Sequence, residues 1–437
     1  MKKALVLGTD SRIFLSVVRS LGRGGVQVHA AWYESGAPAL RSRYLAQLHS
    51  VPPFHHKDAA WKNALVELMA RERFDLVIPC TELEVTACQE HRTELEKAGR
   101  VYTLADEAYE ILFSKIRTAE RARSVGVRVP RELIVTDLGQ RPEVLAQLGL
   151  PLVLKPHISL DRERTGALQP VRKAYSSEEV DRLLPAMLQG GPVVAQENFI
   201  GQGIGVELLL NGGEPLLAFQ HVRVHEPLHG GPSSYRKGVA VTPSLLEAAL
   251  KILRPLRYTG VAMAEFKVNT TTGDWVFLEI NARFWGSLPL AIASGVDFPL
   301  ALFQMLVEGR TSFPQRYGRG IHCRNLLRDL DWQRANLLAD HRDPTLATRP
   351  LYKVLGDVCW NTLTLRERLD TFTLDDPRPA LSELRQLARR FWGWLGKTCR
   401  RMGRRRVEGG GNHSPSTRPV EGGGNHSPST LHPSDVV

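Results

Sequence analysis

The stretch Ala262-Met263-Ala264-Glu265-Phe266-Lys267, followed by Trp275-Val276-Phe277-Leu278-Glu279-Ile280-Asn281-Ala282-Arg283, decides how this chain folds and what it handles. Apolar and polar residues alternate in both segments, and Thr271-Thr272-Gly273-Asp274 supplies a turn between them, so the pair reads as a hairpin. Side chains two apart on a strand share a face, which aligns Glu279, Asn281 and Arg283. Pairing of the strands lets Glu265 join that face. Two carboxylates and an amide oxygen make a hard, all-oxygen site, suited to Mg²⁺ held jointly with nucleotide phosphates. Arg283 adds a planar cation for a phosphate or acyl phosphate. Acidic pairs on neighbouring strands ordinarily form a solvated face. Here Val261, Met263, Val276, Phe277, Leu278 and Ile280 flank them, and a carboxylate among such residues must find a cation or a donor.

This arrangement resembles the ATP-grasp family, in which a Glu and a following Glu-x-Asn-x-Arg hold the metals and the triphosphate. The resemblance runs from about Ala4 to Val307. Its most specific part is Leu278-Glu279-Ile280-Asn281-Ala282-Arg283-Phe284-Trp285-Gly286-Ser287, nearest to carbamoyl-phosphate-synthetase-like and carboxylate–amine-ligase-like members. Ala282 stands where the family usually has Pro. The resemblance implies a mixed α/β and α+β fold: a Rossmann-like parallel domain over residues 1–110, then two α+β subdomains sandwiching ATP over 111–310. A helical extension (311–380), a basic amphipathic helix (381–406) and a Gly/Ser/Pro tail (407–437) complete the expected organisation.

The upstream sequence fits such a start. Lys2 to Gly8 reads as a buried strand, Ile13 to Leu21 has helical spacing, and Val26 to Trp32 reads as the next strand. That βαβ opening predicts a parallel sheet, without the GxGxxG of a dinucleotide site. A strand over Phe74–Ile78 and a helix over Glu82–Ala98 follow.

Composition sets the wider frame. The chain has 437 residues, 43% hydrophobic and 24% charged, as in ordinary soluble proteins. No apolar run reaches the roughly 18 to 20 residues of a membrane span. Only five residues, Ala4 to Gly8, separate Met1-Lys2-Lys3 from Thr9-Asp10, too few for a signal-peptide core. Five scattered cysteines without a CxxC point to reduced thiols and a cytoplasmic setting. The net charge of +11 is concentrated in residues 380–406, where nine Arg and Lys face one acid. A nucleic-acid partner is therefore not expected. That segment also carries Phe391, Trp392, Trp394 and Leu395, a composition that suits a helix on an anionic membrane surface or one docked on the protein body. Val407 to Thr417 recurs identically at Val420 to Thr430, a repeat that cannot build a core.

Several further residues are candidates for the site. Leu150 to Pro156 is an apolar strand with Lys155 near its end, a cation with a buried stem poised for the phosphates or adenine. The resemblance assigns Lys115, at the start of a helix running to Val125, to the nucleotide phosphates. It assigns the backbone around Glu197, Asn198, Phe199 and Ile200 to the adenine edge, with Val153 and Ile200 as apolar walls. Glu207 is a candidate for the ribose or the metal shell. The resemblance also places Arg223 near the γ-phosphate and the Gly230-Gly231-Pro232-Ser233 loop in the acceptor pocket. In place of the family's glycine-rich cover, this chain has His157 to Gly166, with Arg162 and Arg164 as possible charged lid residues.

The resemblance thus implies an enzyme using ATP and Mg²⁺ (or Mn²⁺). A substrate carboxylate would be phosphorylated to an acyl phosphate, with Arg223 and Arg283 serving the transferring group, and an amine would displace phosphate. Small-molecule substrates and a homodimer are the expected partners, with peripheral membrane contact through 380–406. Carboxyphosphate chemistry from bicarbonate, a nucleotide sensor and a membrane-associated scaffold are the alternatives.

Overall fold

The computed structural model describes residues 1–8, 11–31, 36–55, 59–157, 171–228, 231–339, 346, 348–385 and 388. Among these residues, fifteen strands form three sheets. The first contains β1 (Lys3–Leu7), β2 (Gln27–Ala31), β3 (Leu45–Leu48) and β4 (Leu76–Pro79), all parallel, in the order β3-β2-β1-β4. The helix Ser11–Arg23 makes the crossover from β1 to β2. Ala4, Leu5, Val6 and Leu7 are all fully buried, because helices cover both faces of a parallel sheet. The single helix expected over Glu82–Ala98 is broken at His91, at φ −113° and ψ 22°, into Glu82–Glu90 and Arg92–Ala98. Thr81 and Glu84 form a capping box at the start of the first piece, which fixes Glu82 just beyond the end of β4.

The second sheet is antiparallel, with β5 (Glu132–Val135), β6 (Leu152–Pro156), β7 (Arg172–Ala174) and β8 (Val193–Glu197) in the order β5-β8-β6-β7. Leu152, Leu154, Val193 and Ala195 turn inward onto Val180 and Leu184 of the helix Ser177–Leu188. Strand alternation then sends Val153 and Lys155 to the opposite face.

The third sheet holds β9 (Gln202–Asn211), β10 (Glu214–His225), β11 (Tyr235–Val239), β12 (Gly260–Val268), β13 (Trp275–Asn281), β14 (His322–Arg324) and β15 (Glu367–Leu369). Their order is β13-β12-β9-β10-β11-β14-β15, antiparallel except for the parallel pair β14–β15. Interior strand β9 is buried without interruption from Gly203 to Leu210. Each fully buried leucine there contributes roughly 1.5–3 kcal/mol, so this strand anchors the hairpin that packs beside it.

The extension beyond residue 310, which carries no chemical motif, has a structural task. Strands β14 and β15 lengthen the third sheet, and the segment after them returns to the first. Asp376, fully buried, accepts from Arg19 Nε at 2.9 Å, Ser42 Oγ at 2.6 Å and the Arg43 amide at 3.0 Å. Asp375 accepts from Arg23 Nε and Nη2, both at 2.8 Å, and from the Tyr44 hydroxyl at 2.7 Å. Residues 1–383 form one unit. No helix among the described residues is long and apolar enough to cross a membrane. The lid residues Arg162 and Arg164, the aromatics of the basic segment and the repeat tail lie outside the described residues.

Candidate active site

A cleft of about 940 Å³ is lined by the second and third sheets and by the ends of the first. Its floor is the hairpin of β12 and β13. Glu265 pairs directly with Glu279, and Met263 with Asn281. A bulge follows, so that Phe266 pairs with Phe277 and Leu278 is left over. Such a bulge re-aims the residues beside it, and Leu278 lines the cleft with Glu279, Ile280 and Asn281. Asn281 Nδ2 donates to Glu265 Oε1 at 3.1 Å and to Glu279 Oε1 at 3.5 Å. The amide and the two carboxylates therefore converge on one point. A half-turn of the amide presents its oxygen instead, giving the all-oxygen donor set that suits Mg²⁺.

Cations surround these acids. Arg223 on β10 places Nη2 2.5 Å from Glu265 Oε2 and Nη1 3.8 Å from Glu226 Oε1. Lys267 Nζ stands 2.6 Å from Glu226 Oε2. Lys155, 9% exposed on β6, shares the cleft face with Val153, Gln196 and Lys173, whose strands pair on either side of it. Lys115 begins the helix Lys115–Ser124, capped by Ser114, and its amide donates to the His157 carbonyl at 3.2 Å.

Burial pushes Glu265 above the ordinary carboxylate range; Arg223 opposes the shift and Glu279 adds to it. Burial pushes Glu279 upward as well, but Lys115, Lys155, Arg223 and Arg283 outweigh it and hold that carboxyl below its usual value. Desolvation lowers Lys155, partly offset by Glu279. Burial also acts to lower Arg223, yet Glu265, Glu226 and Glu279 raise it above its ordinary value.

Three expectations change. Strand β13 ends at Asn281, so Arg283 does not continue the row of Glu279 and Asn281 by strand alternation. Its Nη1 donates to the Phe284 carbonyl at 2.8 Å and its Nη2 lies 3.7 Å from Glu82 Oε2, although it still lines the cleft. Glu207 is fully buried and does not line the cleft. The Ser287 hydroxyl donates to its Oε1 at 2.7 Å, and His221 Nδ1 lies 2.9 Å from the same oxygen without hydrogen-bonding geometry. Burial pushes Glu207 well up and His221 well down, so it disfavours the charged form of each. Ile200 is 57% exposed and outside the lining, because it follows the end of β8; Val153, Leu278 and Ile280 supply the apolar walls.

Glu197, Asn198 and Phe199 do line the cleft. The Glu197 side chain is held by Arg131, whose amide donates to Oε1 at 3.0 Å and whose Nε donates to Oε2 at 2.5 Å. Ser233 lines the cleft too, its hydroxyl 2.8 Å from the His225 carbonyl and 3.0 Å from that of Tyr235. The alternating glycines at the start of β9 answer to close packing: a Cβ on Gly205 would stand 2.3 Å from the His221 ring. Reasoning from sequence missed Arg12, Lys173, Glu226, Arg236 and Lys267. Lys267, two residues beyond Glu265 on β12, was open to the same alternation argument. The others reach the cleft only through tertiary packing.

Comparison with known proteins follows this geometry. Residues 236–309 match the family model for the carbamoyl-phosphate synthase L chain, ATP binding domain. That stretch includes Glu265, Glu279, Asn281 and Arg283. The chain is similar to the carbamoyl phosphate synthase large chain of Myxococcus xanthus (strain DK1622), with 22% identity over 326 residues, 69% of this chain and 29% of that protein. It spans less than a third of the first full-length relatives it matches. Among solved structures, it is similar to the biotin carboxylase domain dimer of the Hydrogenobacter thermophilus 2-oxoglutarate carboxylase, described in complex with MgADP, ADP and bicarbonate. The TM-score is 0.58 at 17% identity, covering 74% of this chain and 73% of that one. N5-carboxyaminoimidazole synthetase from Staphylococcus aureus also has a TM-score of 0.58, at 13% identity, covering 82% of this chain and 96% of the other.

Proposed function

The chain is an ATP-grasp protein, and from that premise we propose that it is an ATP- and Mg²⁺-dependent ligase joining a carboxylate to an amine. The observation that carries this reading is the convergence of Glu265, Glu279 and Asn281 within a ring of Lys115, Lys155, Arg223 and Arg283. Lys115 and Lys155 bind the triphosphate, with Val153, Leu278 and Ile280 against the base and the backbone of Glu197 to Phe199 at its edge. Glu265, Glu279 and Asn281 hold the metal, which when bound neutralises charge on the phosphate oxygens. Arg223 orients the γ-phosphate, and positioning together with fixed charge supplies most of the rate.

The substrate carboxylate attacks the γ-phosphorus, forming a carboxylate-oxygen-to-phosphorus bond as the bond to the β,γ-bridging oxygen breaks and ADP leaves. Arg283 stabilises the acyl phosphate. The amine then attacks the acyl carbon, the C–N bond forms, phosphate departs with the electron pair of the C–O bond, and the amine loses a proton. No side chain need become covalently attached to substrate.

Glu279→Gln tests the reading. It keeps the side-chain volume but removes the charge that four cations balance, so ADP release should vanish while the melting temperature holds. Turnover retained in that variant overturns the assignment. The assay is ADP release from Mg²⁺-ATP with pools of carboxylates and amines. A second reading, carboxyphosphate formation, is favoured by the bicarbonate in the Hydrogenobacter thermophilus complex. ADP release driven by bicarbonate alone would select it. Dimerisation, as in that domain, belongs to the same proposal.

A further inference from the structure

The first sheet carries a polar cluster that the cleft does not use. His29 stands in the middle of β2, His49 follows the end of β3, and Glu72 is the last residue of the helix Ala60–Glu72. None of the three lines the cleft. Strand alternation puts His29 on the face of Ala31, which packs with Leu5, Leu65 and Met69. An aliphatic residue would suit that position. Instead a second imidazole meets the first, with His29 Nδ1 and His49 Nε2 2.8 Å apart in residues that are 2% and 7% exposed. Phe74 walls the pair, its ring steeply inclined to both and its centroid 5.3 Å from that of His29 and 6.2 Å from that of His49.

One ring donates the proton in that contact and the other accepts it, and His29 Nε2 has no hydrogen-bond partner among the described residues. A buried polar atom left in that state is costly and asks for an explanation. Glu72 brings a third donor: one ligand atom from each of the three residues lies within 4.8 Å of the others. The backbone fixes all three. The His49 amide donates to the Ala30 carbonyl at 2.8 Å, and Arg73, left-handed at φ 52°, ends the helix by donating its amide to the Met69 carbonyl at 2.9 Å. Two cations face the carboxylate, Lys3 Nζ at 3.4 Å from Oε2 and Arg71 Nε at 3.3 Å from Oε1. Lys3 has a second acceptor in the Glu72 carbonyl at 3.0 Å, which leaves the carboxylate able to turn.

We infer that His29, His49 and Glu72 form a Zn²⁺ site that ties β2, the segment after β3 and the end of the helix Ala60–Glu72 together. Two imidazoles and a carboxylate are a donor set of this ion, with a fourth position left for water. Zn–N bonds of about 2.0–2.1 Å at tetrahedral angles put two nitrogens about 3.3 Å apart, so the pair opens by only about half an ångström. Charge points to the same class of ion. One carboxylate facing two cations attracts little by charge, so the nitrogen lone pairs must do the binding, and the hard, oxygen-seeking Mg²⁺ and Ca²⁺ gain nothing there. The Glu72 side chain, 20% exposed, is the way in from solvent. The site is independent of the ligase reading and stands or falls without it.

The test is a binding and melting measurement on the full chain in excess Mg²⁺, which keeps the carboxylates of the cleft occupied. Zn²⁺ is titrated in competition with a chromophoric chelator, and the protein is melted with and without one equivalent. Zn²⁺ should raise the melting temperature, since it binds the folded chain alone. Co²⁺ in its place should give the visible bands of a tetrahedral ion, and further Mg²⁺ should do neither. The chain has 14 histidines, so the difference between parent and variants is what counts. His49→Gln should weaken Zn²⁺ binding at least about a hundredfold and Glu72→Gln about tenfold, with metal-free melting as the check on folding. His29→Leu combined with His49→Leu, apolar residues for an apolar face, should melt no lower than the metal-free parent and ignore Zn²⁺. No melting shift in the parent, or a Zn²⁺ affinity unchanged by either His49→Gln or Glu72→Gln, overturns the site. If the histidine variants fail to fold, Glu72→Gln at the partly exposed helix end decides alone.

Discussion

Arg223 reaches from β10 to within 2.5 Å of Glu265, the carboxylate that pairs across the hairpin with Glu279. Burial nevertheless leaves Glu265 with a raised pKa, while the cations around Glu279 leave that residue with a lowered one. The pair therefore titrates in two separated steps. On acidification Glu265 takes its proton first, above the ordinary carboxylate range, while Glu279 stays charged. Mg²⁺-ADP affinity should fall with pH from that point, measured by calorimetry between about pH 4 and 8. Stability of the unliganded protein moves the other way for this group. The folded state holds the Glu265 proton more tightly than the unfolded chain does, so the contribution grows as pH falls through the raised pKa. Glu265→Gln should abolish this acid limb in Mg²⁺-ADP binding.

Arg223→Ala removes the cation that reaches Glu265 and that, in the proposed mechanism, serves the transferring group. The loss in kcat should be about 10²- to 10³-fold, the usual effect of deleting one fixed charge-stabilising donor. The KM for ATP should move much less. Without the guanidinium, the acid limb of Mg²⁺ binding should shift to higher pH, a change that a purely structural role for Arg223 would not produce.

Lys155 sits in the cleft at 9% exposure with its pKa lowered by desolvation. Its charge is therefore costly in the unliganded protein and, on the proposed reading, is offset when phosphates arrive. Lys155→Met keeps the stem and drops the charge. The variant should melt at the same temperature or a few degrees higher, while its KM for ATP rises at least about tenfold. Calorimetric melting and steady-state kinetics on one preparation separate the two effects.

Asp376 is the buried partner of Arg19, with Ser42 and the Arg43 amide as further donors. Asp376→Ala strands the Arg19 guanidinium, which is 3% exposed. Loss of one member of a buried pair costs about 3–5 kcal/mol, to be read as a lower urea midpoint. The combined Arg19→Met and Asp376→Leu variant should recover most of that loss. If the single variant matches the parent protein, the segment after β15 does not hold the first sheet.

The hairpin was legible because three local signals agreed there: alternation, a Thr-Thr-Gly-Asp turn, and carboxylates set among apolar residues. Lys155 was legible for a related reason, as a charge at the end of an apolar strand. Arg283 was only half legible. Spacing placed it on the row of Asn281, but the strand ends first, and strand termini depend on packing that sequence periodicity does not encode. Glu207 carried the same charge pattern as a ligand would, and only its three-dimensional setting shows it fully buried against Ser287 and His221, where burial disfavours its charge. Arg12 and Arg236 gave no local signal at all. They stand in unremarkable segments more than 220 residues apart, brought together at Gly286 by tertiary packing.

The tie between Arg236 and Asp370 has a consequence for biosynthesis. These partners are 134 residues apart, and Arg19 and Asp376 are 357 apart. A nascent chain of some 310 residues already contains the hairpin of β12 and β13, Lys115, Lys155 and the first sheet. It does not yet contain the counter-ions that neutralise Arg236 in the cleft wall and Arg19 in the first helix. Closing such long loops also comes late for entropic reasons. The ribosome therefore releases the two hairpin carboxylates and the cations around them well before the wall that holds Arg236 can settle. On the proposed reading, ligase competence waits for residues close to the end of the described chain to be made.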